Sequence, residues 1–246
     1  MKILSVSTAT DNLSIALNEN EKVIVEKNEQ GGRNYNEHLD PIINEMLTAN
    51  KLQLADIDRY AVAIGPGSYT GLRIGITTVK MFASILEKEV AGISTLQALA
   101  VNQIGTKMLT VAGIDARNDN YFAGAYCNED GQLVNVIPDG HYHITTLLQA
   151  VKEWAIKTNC DKVIFLGSGF AKQDELIKQL GLAYAYGSDE QNLVHAGRIG
   201  KLALGAPLTE PDDLLPKYLR RTQAEIDWHN KTGQPFVSDR NYVEEV

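Results

Sequence analysis

The residues best placed to do chemistry in this 246-residue chain lie between Ala63 and Thr77, in the stretch AIGPGSYTGLRIGIT. Glycines that leave a strand and open a helix can present backbone N–H groups to a phosphate, and such loops are told apart by their spacing. A P-loop ends in Gly-Lys-Ser/Thr, where this chain has Thr70-Gly71-Leu72-Arg73. A dinucleotide fingerprint needs a third glycine where Ser68-Tyr69-Thr70 follow Gly65-Pro66-Gly67, and it follows a first strand rather than a fourth. A nucleophile elbow sets its serine midway between two glycines, and Ser68 is not so placed.

Elsewhere the candidate residues are scattered. The 5 histidines, His38, His141, His143, His195 and His229, include no His-x-x-x-His pair. His141 and His143 alternate on one side of an extended segment, a weak metal pattern that receives no assignment. Cys127 and Cys160 lack C-x-x-C spacing and flanking histidines, which points to reduced thiols and away from redox or zinc chemistry. Asp115 and Arg117, in the tripeptide DAR, either present a carboxylate at a strand end or tie a turn together with an ion pair. The Gly167-Ser168-Gly169 turn is a second, weaker glycine signal. Ser-His-acid triads assemble in space, so spacing neither supports nor removes one.

What the glycine loop retains is a positioning role. Gly65 and Gly67 permit dihedrals or close approach that a side chain forbids, Pro66 stiffens the turn, and Ser68 or Thr70 can cap the helix. Inside that helix Gly71 and Gly75 lie four apart on one face, each costing roughly 1 kcal/mol of propensity relative to alanine. Close approach of another backbone compensates such a cost. That backbone is either the chain's own sheet or a helix of another protein, and the same face continues through Thr78, Val79 and Phe82.

The elements that must position these residues come in the same order twice. Strand patterns at 2–8, 12–18 and 22–27 precede an apolar helical face at Leu39, Ile42, Ile43, Met46 and Leu47, with Pro41 near the helix's first turn. A strand at 59–65 leads through the glycine loop into a helix over about 70–88; a short strand at 90–93 and a Ser94/Gln97 capping box follow. Residues 108–114, 121–127 and 133–137 repeat the three strands, followed by helix 145–157, strand 162–167, helix 172–179, strand 182–187 and helix 191–204. The expected fold is α/β and duplicated, two βββαβα lobes with mixed sheets. The N-terminal lobe takes residues 1–107, the C-terminal lobe 108–226, and a polar, loosely held tail 227–246.

Composition limits the setting. The formal charge of −8 is shared by both halves, and the one compact basic group is Lys217, Arg220 and Arg221. A protein that grips a nucleic-acid backbone alone presents a basic stripe, so sole responsibility for an RNA substrate is not expected. No run has the apolar length of a membrane span and no signal-peptide pattern is seen, so a cytoplasmic location with no membrane partner is expected.

At GPGSYTGLRIG (65–75), GISTLQALA (92–100), DAR (115–117) and PKYLR (216–220) the chain resembles the bacterial tRNA threonylcarbamoyladenosine biosynthesis protein TsaB family, also called YeaZ. The resemblance runs in order from residue 1 to about 225. It implies the actin-like, Hsp70-like (ASKHA) fold and a subunit without an active site of its own. Family members help the catalytic paralogue TsaD transfer a threonylcarbamoyl group to N6 of adenosine 37 in tRNAs reading codons that begin with A. TsaE joins as an ATPase, and tRNA is reached only through the complex. Pairing with TsaD, or with a second copy in its absence, uses the two first-half helices. Here that implies contacts from Tyr35, Leu39, Ile42, Ile43, Met46, Gly71, Leu72, Gly75, Ile76, Val79 and Phe82, on an exposed apolar surface. No cofactor or metal of its own is implied; ATP or ADP at the partner interface would place Arg73, Asp115 and Arg117 near the nucleotide.

Two departures bear on this. Ser7-Thr8-Ala9-Thr10 stands where relatives have DTST, so an aspartate that organises metal and phosphate in active members of the wider fold is a serine. Tyr35 stands where relatives commonly have histidine. The competing expectation is an ATPase, kinase or peptidase acting alone, which requires convergent carboxylates in a cleft.

Overall fold

The protein, described here from a computed structural model, is covered over residues 1–30, 35–103, 108–220 and 223–234, without the side chains of 36 and 223–226. Arg221, the lobe boundary at 107 and the tail beyond 234 lie outside the described residues.

Two five-stranded sheets share one topology. The first holds β1 (Lys2–Ser7), β2 (Asn12–Glu19), β3 (Lys22–Gln30), β4 (Arg59–Gly65) and β5 (Glu89–Ser94) in the order β3-β2-β1-β4-β5. The second holds β6 (Leu109–Asp115), β7 (Asn120–Glu129), β8 (Gln132–His143), β9 (Lys162–Gly167) and β10 (Ala183–Tyr186) in the order β10-β9-β6-β7-β8. In each, three antiparallel strands are extended by two parallel ones. The helices are α1 (Tyr35–Ala49), α2 (Tyr69–Leu86), α3 (Thr95–Ala100), α4 (Ile144–Thr158), α5 (Asp174–Lys178), α6 (Ala196–Ala203) and α7 (Gln223–Thr232). The duplication read from the sequence is therefore present strand for strand.

Local chemistry explains the boundaries. Ser68 Oγ accepts the Gly71 N–H and caps α2; Ser94 Oγ accepts the Gln97 N–H and caps α3. Pro41 sits in the second turn of α1, one turn deeper than the first-turn position expected. The tail expected to be loose from 227 is helical through Thr232.

The lobes exchange their last helices, which contiguous ranges of sequence do not convey. Helix α3 packs on β6 and β7, and α6, from the second half, packs on β1, β2, β4 and β5 of the first sheet. Side chains of the first sheet hold the start of α6. Asn12 Nδ2 donates to Val194 O (3.1 Å), Ser14 Oγ accepts from Ala196 N (2.8 Å), Glu26 Oε1 accepts from Gly197 N (2.9 Å) and Asn18 Nδ2 donates to Gly197 O (3.0 Å). The chain then returns as a strap. Thr209 bridges Val90 on the open edge of β5, Leu214 is buried against Gly92, and Lys217 N donates to Ile64 O of β4 (2.7 Å).

The far end of α6 is held by Arg59, which is 7% exposed. Its Nε and Nη2 donate to Glu89 Oε2 at 2.9 and 2.7 Å, while Nη1 donates to the Ala203 carbonyl at the negative end of the helix. Replacing Arg59 with leucine strands that carbonyl in a buried seam. Because Glu89 is itself half exposed, the expected loss is about 2–3 kcal/mol in urea unfolding; a change within error would show that Arg59 does not tie the lobes.

Candidate functional site

The glycine loop sits where β4 ends and α2 begins, pressed on the turn between β1 and β2. Ser68 N donates to Ala9 O (2.7 Å), and Thr8 Oγ1 donates to Gly71 O (2.6 Å). A Cβ on Gly67 would collide with the Ala9 carbonyl, one on Gly71 with the Thr8 carbonyl, and one on Gly75 with Thr8 Oγ1. Gly65, at φ +122°, admits the Lys217 carbonyl of the strap beside it. The close approach that compensates the helix glycines is thus internal, the first of the two readings the sequence left open.

Tyr35 belongs to the same clamp. It is buried, and its hydroxyl donates to Thr10 O (2.5 Å), so α1 and α2 grip one turn from two sides. Ser7 is fully buried with no hydrogen bond to its Oγ among the described residues.

The apolar residues expected on an exposed partner surface are instead the cover of the first sheet. Leu39, Ile42, Ile43 and Met46 of α1 and Leu72, Ile76 and Val79 of α2 are buried, Val79 completely, and Phe82 is half-buried. The cause is that β1, β2 and β4 need an apolar lid, and these are the faces that supply it. Helix α2 carries a second stripe. Leu72, Ile76, Val79 and Ala83 face the sheet, and Ile74, Thr78, Met81 and Ile85 repeat the same spacing two residues later, about 200° around the helix. Met81 is 45% exposed and Ile85 73%. Sequence reading missed this row because both stripes have the same period; a helix apolar on two opposite faces was the available signal.

At the start of α2 an aromatic and basic group gathers. Arg73 lies 4.2 Å over the Tyr69 ring and its Nε donates to Tyr218 Oη (3.1 Å), while Tyr69 and Tyr218 stack at 5.1 Å. Tyr218 comes from the strap and was not singled out beforehand, although it lies within PKYLR. Thr70 is exposed and leaves the capping to Ser68.

The second half repeats the loop geometry. Gly167 ends β9 at φ +107° as Gly65 ends β4, and Ser168 N donates to Gly113 O (3.0 Å) as Ser68 N does to Ala9 O. Asp115 is spent on its own turn. Its Oδ1 accepts the Arg117 N–H (2.8 Å), its Oδ2 meets Lys172 Nζ (3.2 Å), and its N–H is taken by Ser168 Oγ (3.0 Å). The ion pair of the DAR turn is therefore with Lys172, not Arg117. His141 packs on the Phe122 ring and His143 caps α4. Among the described residues no three His, Cys, Asp or Glu side chains gather as a metal site. None of their helices is long and apolar enough to cross a membrane.

Two lobes of repeated βββαβα topology, each ending its fourth strand in a left-handed glycine, define a duplicated α/β protein of the actin-like, Hsp70-like class. Residues 18–228 match the family model described as "TsaD: tRNA N6-adenosine threonylcarbamoyltransferase". A Bacillus subtilis protein named "tRNA threonylcarbamoyladenosine biosynthesis protein TsaB" is 30% identical over 229 residues, covering 93% of this chain and 98% of that relative. The Escherichia coli protein of the same name is 29% identical over 184 residues, 74% of this chain and 78% of its own. The solved structure of YeaZ from Pseudomonas aeruginosa superposes with a TM-score of 0.68 at 23% identity, over 89% of this chain and 99% of that one. The chain belongs to the TsaB (YeaZ) family within the wider TsaD-like group.

The glycine contacts yield a direct test. Gly71→Ala gains helix propensity worth roughly 1 kcal/mol, yet it forces a methyl group onto the Thr8 carbonyl. Net destabilisation of about 2 kcal/mol is expected in chemical denaturation. Stabilisation would mean that the turn yields and that the contact does not hold it.

Proposed function

We propose that this chain is the non-catalytic subunit of an assembly that makes N6-threonylcarbamoyladenosine at adenosine 37 of tRNAs reading codons that begin with A. It docks on a TsaD-type catalytic paralogue and activates it, with a TsaE-type ATPase as third member. It pairs with a second copy when the paralogue is missing, and it meets tRNA through the complex. The observation that carries this reading is the outward stripe of α2, where Ile85 is 73% exposed and Met81 45% on a helix whose opposite face is already spent on the protein's own sheet. Apolar residues at coiled-coil-like spacing on an exposed helix face suit a helix from another protein. The names of the relatives supply the process. The buried Ser7 and the self-engaged Asp115 support a role without turnover, because neither offers the free carboxylate that nucleotide chemistry on this fold uses. ATP or ADP, where it takes part, is placed at the partner interface near Arg73, not in a site of this chain's own.

The test uses the purified protein with the TsaD-type and TsaE-type proteins of the same organism. Wild type is expected to bind the paralogue, to stimulate threonylcarbamoyl transfer to tRNA and to show no turnover alone. A Met81→Glu, Ile85→Glu double variant should keep its urea midpoint and weaken binding by at least about tenfold, because two charges would be buried in the contact. Turnover by the isolated protein, or a folded double variant that binds and stimulates like wild type, overturns the reading.

A further inference from the structure

His195 stands at the head of α6, in the seam between the two lobes. Its Nδ1 lies 3.7 Å from Glu26 Oε2 of β3, and its Nε2 lies 3.1 Å from the Glu190 carbonyl and 3.3 Å from Glu190 Oε1. Every partner on both ring nitrogens is an oxygen acceptor. A neutral imidazole can keep the Nε2 hydrogen bond to Glu190, whereas the imidazolium keeps it and adds a charge that faces the Glu26 carboxylate at ion-pair distance. The ring is 8% exposed as a residue and borders a cavity of about 340 Å³ lined also by Val23, Asn102, Arg198 and Lys201.

The two carboxylates come from different halves of the fold. Glu26 lies on β3 of the first. Glu190 opens a single turn of 3₁₀ helix, Glu190–Asn192, which is fixed to the second sheet because Asn192 Oδ1 accepts the Gly167 N–H of β9 (2.9 Å). We propose that His195 is a pH-operated latch between the lobes: as an imidazolium it ties β3 to the turn leading into α6, and on losing its proton it loosens the hold of the first sheet on the head of α6. The charges at the ring are the two carboxylates, Glu26 from β3 and Glu190 from the turn, both favouring the imidazolium, while Arg198 and Lys201 of α6 line the same cavity.

The electrostatics agree with the geometry. The Glu26 carboxylate raises the His195 pKa above the ordinary imidazole value, burial works against it, and Glu190 adds to the rise. Glu26 is held below its ordinary value; burial alone would raise it, but His195, the Gly197 N–H and Ser14 outweigh that. Since the folded pKa of His195 lies above the unfolded one, the latch contributes fully below the unfolded pKa of about 6.5 and is lost as pH rises through the folded pKa. The Ala196 and Gly197 N–H groups keep their hydrogen bonds to Ser14 Oγ and Glu26 Oε1 on release, but Glu26 loses the imidazolium charge that helps hold it beside the head of α6.

The experiment follows the His195 ring by NMR titration and, on the same full-length sample, amide hydrogen-exchange protection at Ala196 and Gly197 after correction for intrinsic rates. The expected result is a His195 pKa above about 6.5, with protection at both amides falling through it by about tenfold for each unit of that excess. Amides of β9 should not follow. His195→Gln, which keeps a donor but no charge, should flatten the dependence, and Glu26→Gln should lower the His195 pKa. A ring that titrates at or below the ordinary value, or wild-type protection that ignores its titration, overturns the latch.

Discussion

Strands β1 and β2 are buried on both faces, and a strand in that state needs a cover on each side. On one side α1 and α2 supply it from the same half of the chain. On the other side it is α6, which arrives some 180 residues later, as the Asn12 to Val194 and Asn18 to Gly197 bonds record. This double requirement explains why the halves are not separable lobes. The second half must reach back with a helix, hold it at both ends with polar groups of the first sheet, and then strap the open edge of β5 before leaving.

The two covers are built differently. On the α2 side, contact is close because Gly67, Gly71 and Gly75 lack side chains where the β1–β2 turn pushes in, and the rest of the face is aliphatic. On the α6 side, Gly197 and Gly200 let the helix settle against Val23, Asn18 and Ser5, and serines, asparagines and a carboxylate add hydrogen bonds to the burial of Val194, Ile199 and Ala203. Burial of aliphatic surface makes a permanent wall. A helix held by hydrogen bonds and an ion pair responds to charge, so the polar seam is the one in which a titratable ring can act.

Much of this was legible in the residues. The strands and longer helices announce themselves by period, the capping serines by position, and the duplication by order. Which face of α2 looks outward was not legible, because the rows through Val79 and through Met81 are both apolar at helical spacing, and only the sheet's place decides between them. The glycine pair was likewise ambiguous, since a missing side chain says that something comes near without saying what. Tyr218 and the strap escaped because their anchors, Leu214 and the Lys217 N–H, meet residues more than a hundred positions earlier in the chain.

The repeat also shows where its halves have diverged. Both fourth strands end in a left-handed glycine, and the next serine bonds back to the β1–β2 turn at Ala9 in the first half and to β6 at Gly113 in the second. After that shared start α2 runs for 18 residues, while the corresponding α5 runs for 5. A helix of 5 residues suffices to hold the Asp174 carboxylate against Tyr184 and Tyr186 beside its sheet. The extra three turns or so of α2 bring the outward row from Thr78 to Ile85, which the first sheet does not use. Those turns therefore serve two faces at once, Ile76, Val79 and Ala83 closing on the sheet while Met81 and Ile85 stay exposed, and the matching region of the second half has no such length to offer.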